Sequence, residues 1–305
     1  MQKYVCPPQI YKYTPLAGLK ATLEHGSFKL SRPSDFNDPI DMYLQETIGQ
    51  NIEEFLEDLK KEFHDYLVNG IKDRPSHNPR YSGILNFMHQ AIDKAPENKK
   101  EEIRKELLNT PIEQMYDFDR LRKTNDEVTA AINTAFSFDA VFCSTTDSNN
   151  LLMWAHYADH HRGAVIEYTP NVEKDSVFLA SKPVQYSKER PLPYKDATAM
   201  VAGLEKNLSE TVQDIIERLI YTKSEEWAYE QEYRLFVASM LRPDQEFAML
   251  KFHPEELTGI YFGCRMDDEN IKNIEKIAKR INPTIKLYKS MIAPKAYNII
   301  YETYI

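Results

Sequence analysis

The sequence predicts an α+β protein: a mixed or antiparallel sheet core with a helical subdomain inserted into it. Three observations lead there. Strand-like segments come in runs, with "YRLFVAS", "EFAMLKF" and "LTGIYFG" following one another without an intervening helix, which is the pattern of a segregated rather than an alternating fold. Between residues 51 and 136 the apolar residues switch to three- and four-residue steps among charges, the period of amphipathic helices. The nine glycines include neither G-x-G-x-x-G nor G-x-x-x-x-G-K-[ST], so the phosphate-binding turns of doubly wound nucleotide folds are missing. We read residues 1–305 as a single α+β domain and residues 51–136 as a helical insertion within it.

The elements follow in order. "QIYKYT" has the aromatic and β-branched content of a strand, and "PLAGLKATLEHG" places Leu16, Leu19 and Leu23 at helical spacing before a Gly26 stop. Phe28 and Leu30 lie in a short strand, and Asn37-Asp38-Pro39 in the loop after it is turn chemistry. Within the insertion, "NIEEFLEDLKKEFHDYLVNGI", "SGILNFMHQAID" (residues 82–93), "ENKKEEIRKELLNT" and "TNDEVTAAINTAF" read as helices with solvated charged faces. "DAVFCST" reads as a buried strand, "NNLLMWAHYADHH" as a helix broken at Gly163, and "GAVIEY" as the next strand. "KPVQYS" is a short strand and residues 198–223 a long amphipathic helix; "DDENIKNIEKIAKRI", "TIKLYKS" and "AYNIIYET" close the chain as a helix and two strands.

With 305 residues and 42% hydrophobic content the chain can bury a substantial core. Its 47 acidic against 38 basic residues give a formal charge of −9, which argues against indiscriminate attraction to nucleic acid or anionic membranes. Cys6, Cys143 and Cys264 are far apart and form no C-x-x-C pair, so neither a disulfide framework nor a zinc ribbon is expected. The opening residues lack the apolar stretch of a signal peptide, and no run is long enough to span a bilayer. A cytoplasmic protein is expected.

Chemistry-bearing residues gather in four places. In "SEEWAYEQEYRLFV", strand alternation puts Glu230, Glu232 and Arg234 on one face and Tyr229, Tyr233, Leu235 and Val237 on the other, core-facing one. Trp227 and Tyr229 just before the acids could form a wall for a flat ligand. In "LLMWAHYADHHRG", helical spacing makes neighbours of Met153, Trp154 and Tyr157; His156 and His160 are four apart, but the third ligand and the glutamate of a zinc motif are missing. The third group joins Tyr11, Lys12, Tyr13 and Thr14 to Asn37 and Asp38, and the fourth is the hydroxyl-rich strand end Ser144, Thr145 and Thr146. A serine nucleophile is not expected at Ser144, because no G-x-S-x-G turn surrounds it.

Taken together, "YKYT", "SRPSDFNDPID", "FCSTTDSNNLLMWAHYADHHRGAVIEY", "VQYS", "WAYEQEYRLF" and "IYFGCRM" resemble the bacterial family known as domain of unknown function 2971, over nearly all of the chain outside the insertion. A looser resemblance is to ADP-ribosyltransferases, in the opening Tyr-x-x-Thr, the helix and "LEHGSFKLSRPSDFND", the Ser/Thr-rich strand and the late E-x-E. It implies an ADP-ribosyltransferase-like sheet and NAD as the consumed substrate. By this resemblance Tyr11 to Thr14 and Ser144 to Thr146 line the NAD pocket, and Glu232 is the main carboxylate. Many such enzymes carry His or Arg where this chain has Lys12, which leaves the phosphate or ribose contact to Lys12 or moves it to Arg32, Arg162 or Arg234. Glu232 would stabilise the oxocarbenium character of the ribose as nicotinamide leaves. Glu230, roughly 6 to 7 Å along the strand, would orient or deprotonate the acceptor, with Tyr13, Tyr157 or Trp154 stacking on nicotinamide or adenine.

The expected function is thus an NAD-dependent ADP-ribosyltransferase acting on nucleic acid or protein, of the kind found among toxins and anti-phage effectors. Two alternatives stand beside it: a non-catalytic nucleotide or nucleic-acid binding module, and a nuclease holding Mg2+ on Asp38, Asp41, Glu230 and Glu232. Acceptor and oligomeric state are left open by the sequence.

Overall fold

The computed structural model describes residues 6–69, 90, 92, 94–204 and 208–304. Its first elements are β1 (Ile10–Thr14), α1 (Leu16–His25) and β2 (Ser27–Ser31). Gly26 ends α1 in the left-handed region, φ 58°, and its N–H donates to Thr22 O, a conformation that glycine adopts at no steric cost. Next come α2 (Ile52–Asn69), α3 (Glu97–Asn109), α4 (Ile112–Met115) and α5 (Phe118–Phe136). The helix expected over residues 82–93 falls almost wholly outside the described residues.

β3 (Ala140–Thr145), α6 (Leu151–Tyr157) and β4 (Ala164–Tyr168) follow. Asn150 caps α6, its side chain accepting from the N–H groups of Leu152 and Met153. The helix stops well before Gly163, because Asp159, His160 and His161 take positive φ of 45°, 51° and 67° in succession, which right-handed helix cannot accommodate.

"KPVQYS" divides into β5 (Lys182–Pro183) and β6 (Gln185–Ser187). The single helix expected over residues 198–223 is instead α7 (Ala197–Leu204), α8 (Leu208–Ile220) and a strand, β7 (Thr222–Ser224). Pairing decides the strand: Thr222, Lys223 and Ser224 lie parallel to Gln185, Tyr186 and Ser187, and such tertiary context outweighs local periodicity. The remaining elements are β8 (Glu232–Val237), β9 (Phe247–Lys251), β10 (Leu257–Phe262), α9 (Asp268–Ile281), β11 (Lys286–Ile292) and β12 (Ile299–Thr303).

Among the described residues a ten-stranded sheet runs β12-β11-β10-β4-β1-β3-β2-β9, with β8 pairing β3 and β5. β10 and β11 pair in parallel and the other pairs are antiparallel, so the architecture is α+β with a mixed sheet.

The chain forms two compact units. One comprises Met1–Met42, Ala135–Glu189 and Tyr221–Ile305; the other comprises Tyr43–Thr134 and Arg190–Ile220. The helical unit therefore draws on two stretches of sequence, and its core gathers Phe55, Leu56, Leu59, Ile112 and Ala197. In the sheet unit, Leu19 and Leu23 of α1 and Ile271 and Ile274 of α9 pack with Ile10, Ile166 and Ile260 of the strands. A second cluster holds Tyr13, Val165 and Tyr261 with Met153 and Trp154 of α6. No described helix is long and apolar enough to cross a membrane.

Gly163 marks one close approach: a Cβ there would lie 2.2 Å from the backbone oxygen of Thr14. Backbone in a paired strand cannot yield as a side chain tip can. Gly163→Ala is expected to destabilise the fold by about 1–3 kcal/mol, measured as a lower urea midpoint; an unchanged midpoint would show that β1 and β4 shift freely.

Candidate functional site

β1 and β3 are neighbours in the sheet, yet they pair in register at one position, Tyr11 with Thr145. From there β1 continues along β4, Ile10 to Tyr168 through Thr14 to Ala164, while β3 continues along β8, Ala140 to Val237 through Thr145 to Glu232. The two strands part. Lys12 reaches over the gap, its Nζ donating to Cys143 O at 2.7 Å, where a ladder bond would otherwise be made. A cavity of about 290 Å³ opens here, walled by Tyr11, Lys12, Tyr13, Cys143 and Ser144, close to the small end of ligand sites, about 300–1,000 Å³. Phe36, Asn37 and Asp41 from the segment after β2 complete it, with Tyr157 at the end of α6 and Lys223, Glu230 and Glu232.

The polar wall of this cavity is a buried ion cluster. Lys223 Nζ lies 2.6 Å from Glu230 Oε2, 3.1 Å from Glu232 Oε2 and 3.7 Å from Asp41 Oδ2. Arg234, completely buried, donates through Nε to Glu232 Oε1 at 2.8 Å and through Nη2 to Asp41 Oδ2 at 2.5 Å and Glu232 Oε2 at 3.1 Å. Tyr157 donates its hydroxyl to Glu230 Oε1 at 2.6 Å and accepts from Asn37 Nδ2 at 2.9 Å. Tyr186 holds the backbone, accepting the Glu232 N–H at 2.8 Å. Aromatic faces cover both cations: Trp227 lies 4.8 Å from Lys223 Nζ and Phe36 5.7 Å from Arg234 Cζ, contacts that favour a positive group over a ring.

Environment drives the two glutamates apart. Burial alone would push Glu232 up, but Arg234 and Lys223 overcome it and lower its pKa to about 2. Glu230 goes the other way: burial raises its pKa, assisted by the nearby Glu232 charge and opposed by Lys223. Burial also raises Asp41, against the pull of Arg234. Burial and the bond to Glu230 keep the Tyr157 hydroxyl protonated, well above the usual phenol range.

The arrangement corrects the strand reading of "EEWAYEQEYRLFV". β8 begins only at Glu232; Glu225–Glu230 is a 3-10 turn capped by Ser224, and Gln231 takes φ 45°. Glu230 and Glu232 still converge, but on Lys223 rather than along a regular strand face. Nor is Tyr229, Tyr233, Leu235 and Val237 the sole core face of this segment, since Glu232 and Arg234 are 4% and 0% exposed.

Of the residues singled out from sequence, Tyr11, Lys12, Tyr13, Asn37, Asp41, Ser144, Met153, Tyr157, Glu230 and Glu232 share the cavity, and Arg234 backs it through Glu232. The others lie elsewhere. Thr145 is completely buried and accepts the Asp147 N–H. Thr14 is buried and bonds to Pro15 O, while Asp38 accepts from the Ile40 N–H. Trp154 is a core residue, completely buried, with Nε1 donating to the Tyr301 hydroxyl and its ring stacked on His161. Arg32 bonds to the Gln245 carbonyl and Arg162 pairs with Asp159.

Lys223 carried no motif. Its place in an apparent helix concealed it, although two acids and an arginine seven to eleven residues later already hinted at a partner cation. Its ammonium occupies the point where Asp41, Glu230 and Glu232 converge, and among the described residues no group of three or more His, Cys, Asp or Glu is disposed to hold a metal ion.

Residues 153–235 match the family described as Protein of unknown function (DUF2971). The matched segment runs from α6 to β8 and carries Tyr157, Lys223, Glu230, Glu232 and Arg234; β1, Asn37, Asp41 and Ser144 reach the same cavity from the sequence before it. The chain matches no curated protein and no solved structure, so the likeness to ADP-ribosyltransferases stands on the sequence blocks alone.

Proposed function

We propose that the cleft binds NAD or a close nucleotide relative and breaks its nicotinamide–ribose bond, passing ADP-ribose to an acceptor. The observation that carries this reading is the split pair at the cavity wall, Glu232 held ionised near pKa 2 and Glu230 raised. Two carboxylates pushed apart in this way divide naturally into a charge stabiliser and a proton carrier. As the C–N bond breaks, nicotinamide leaves with the electron pair and the ribose carbon becomes positive, facing the Glu232 carboxylate. An acceptor O–H or N–H then attacks that carbon and its proton passes to Glu230, the group better able to hold one. Tyr11, Tyr13 and Tyr157 in the wall suit the flat rings of a nucleotide. Nucleic acid and protein remain the acceptor classes, a toxin or anti-phage role would follow from such chemistry, and three unpaired cysteines accord with the cytoplasm.

Nicotinamide release from NAD, followed by chromatography, tests the reading. Glu232→Gln is expected to reduce it roughly 100- to 1,000-fold, and Glu230→Gln by about 100-fold or more with a flattened pH profile, both with native circular dichroism. Undiminished release in the Glu232 variant would remove the proposal. One observation favours a second reading, a nucleotide-binding module without turnover: both Glu232 oxygens are already engaged by Arg234 and Lys223. Saturable NAD binding with no nicotinamide produced would select it.

A further inference from the structure

Asp41 enters the site from the loop after β2, outside the residues that pointed to a nucleotide cleft. The residue lines the cavity and its side chain is 1% exposed. Its two oxygens differ. Oδ2 accepts from Arg234 Nη2 at 2.5 Å and lies 3.7 Å from Lys223 Nζ. Oδ1 is buried and has no hydrogen-bond partner among the described residues, whereas both oxygens of Glu230 and of Glu232 are bonded. An unpaired buried oxygen is costly enough that native proteins seldom keep one without a use. A carboxylate oxygen only accepts, so the group that completes its bonding must donate.

We infer that Asp41 recognises the sugar of the bound nucleotide, Oδ1 accepting a hydrogen bond from one of its hydroxyls. The inference rests on the nucleotide reading of the cleft and adds to it a residue that selects the ligand. Two observations choose the sugar over the phosphates. Asp41 Oδ2 and Glu232 Oε2 hang on the same nitrogen, Arg234 Nη2, at 2.5 and 3.1 Å, so Asp41 stands beside the carboxylate that faces the ribose. Asp41, Glu230 and Glu232 also outnumber Lys223 and Arg234 in this cluster, and a surplus of negative charge turns phosphates away.

Isothermal titration calorimetry with NAD and with its 2′-deoxy and 3′-deoxy nicotinamide-ribose analogues tests this. One deoxy analogue is expected to bind the wild-type protein roughly 10- to 100-fold more weakly than NAD. Asp41→Ala removes Oδ1, the acceptor inferred for the sugar hydroxyl, and leaves no donor in its place, whereas an asparagine amide could still donate to a hydroxyl, which accepts as well as donates. This variant should lose a similar factor in NAD affinity and no longer distinguish the deoxy analogue. Equal binding of NAD and both analogues by wild type overturns the inference, whether or not nicotinamide is released. Hydroxyl discrimination without release keeps the role of Asp41 and overturns the reaction, and failure of NAD to bind overturns both. Should Asp41→Ala lose its native circular dichroism, Asp41→Val takes its place, and equal binding of the analogues by wild type still overturns the inference.

Discussion

Replacing Arg234 with methionine lowers stability by roughly 3–5 kcal/mol, the usual penalty for removing one partner of a buried ion pair. Methionine approximately fills the space, so the loss reports charge rather than a cavity. Arg234 is completely buried and binds both Glu232 and Asp41, which would be left with Lys223 as their only cation in the cluster. The pH dependence separates this from simple repacking. Glu232 has a folded pKa of about 2 against an ordinary 4.5, so its ionised form contributes stability that is present above 4.5 and lost as pH falls toward 2. Without Arg234 that contribution largely disappears. The gap between wild type and variant, measured by denaturant unfolding, should be widest above pH 4.5 and narrow toward pH 2. A gap that stays constant over this window would show that Glu232 draws its depressed pKa from elsewhere.

Lys223→Met should be nearly as damaging, again about 3–5 kcal/mol at neutral pH, with the opposite lesson about protons. The carboxylates raise the Lys223 pKa above its ordinary 10.5 despite burial, so its contribution is complete below 10.5 and lost only as alkali carries it through the folded value. Removing the ammonium takes away the influence that most restrains Glu230. The Glu230 pKa then rises further, and an acid raised on folding contributes stability at low pH that is lost as pH rises through its folded value. The variant should therefore gain stability relative to wild type as pH falls from the alkaline side toward the ordinary carboxylate value of 4.5. Parallel profiles over that interval would mean that Glu230 titrates independently of Lys223.

Much of the sheet unit was legible in sequence because its signals are local. The Gly26 stop, the leucines of α1 and the closing helix and strands need no distant partner to be read. The convergence of Tyr13, Ser144 and Glu232 on one cavity was legible too, through short motifs in a recognisable order. What escaped depends on contacts across the chain. β7 is a strand because β6 pairs with it, and Lys223 disappeared with it into an apparent helix. Glu230 reaches the site through a turn whose positive φ falls on Gln231, a residue that announces no such bend. Trp154 shares a helix face with Tyr157, but the Tyr301 hydroxyl holds it in the core while Tyr157 goes to the cleft. The recruitment of Arg190–Ile220 into the helical unit leaves no mark in composition at all.

The closed environment of the cluster has a consequence for solution conditions. Mobile ions screen exposed pairs, such as Lys61 with Asp58 at 63% and 44% exposure, over a Debye length of about 8 Å at physiological ionic strength. They have little access to Lys223, Arg234, Glu230, Glu232 and Asp41, whose side chains are at most 5% exposed. The field that this wall projects into the cleft is thus an internal constant of the molecule, almost the same in dilute buffer as in brine.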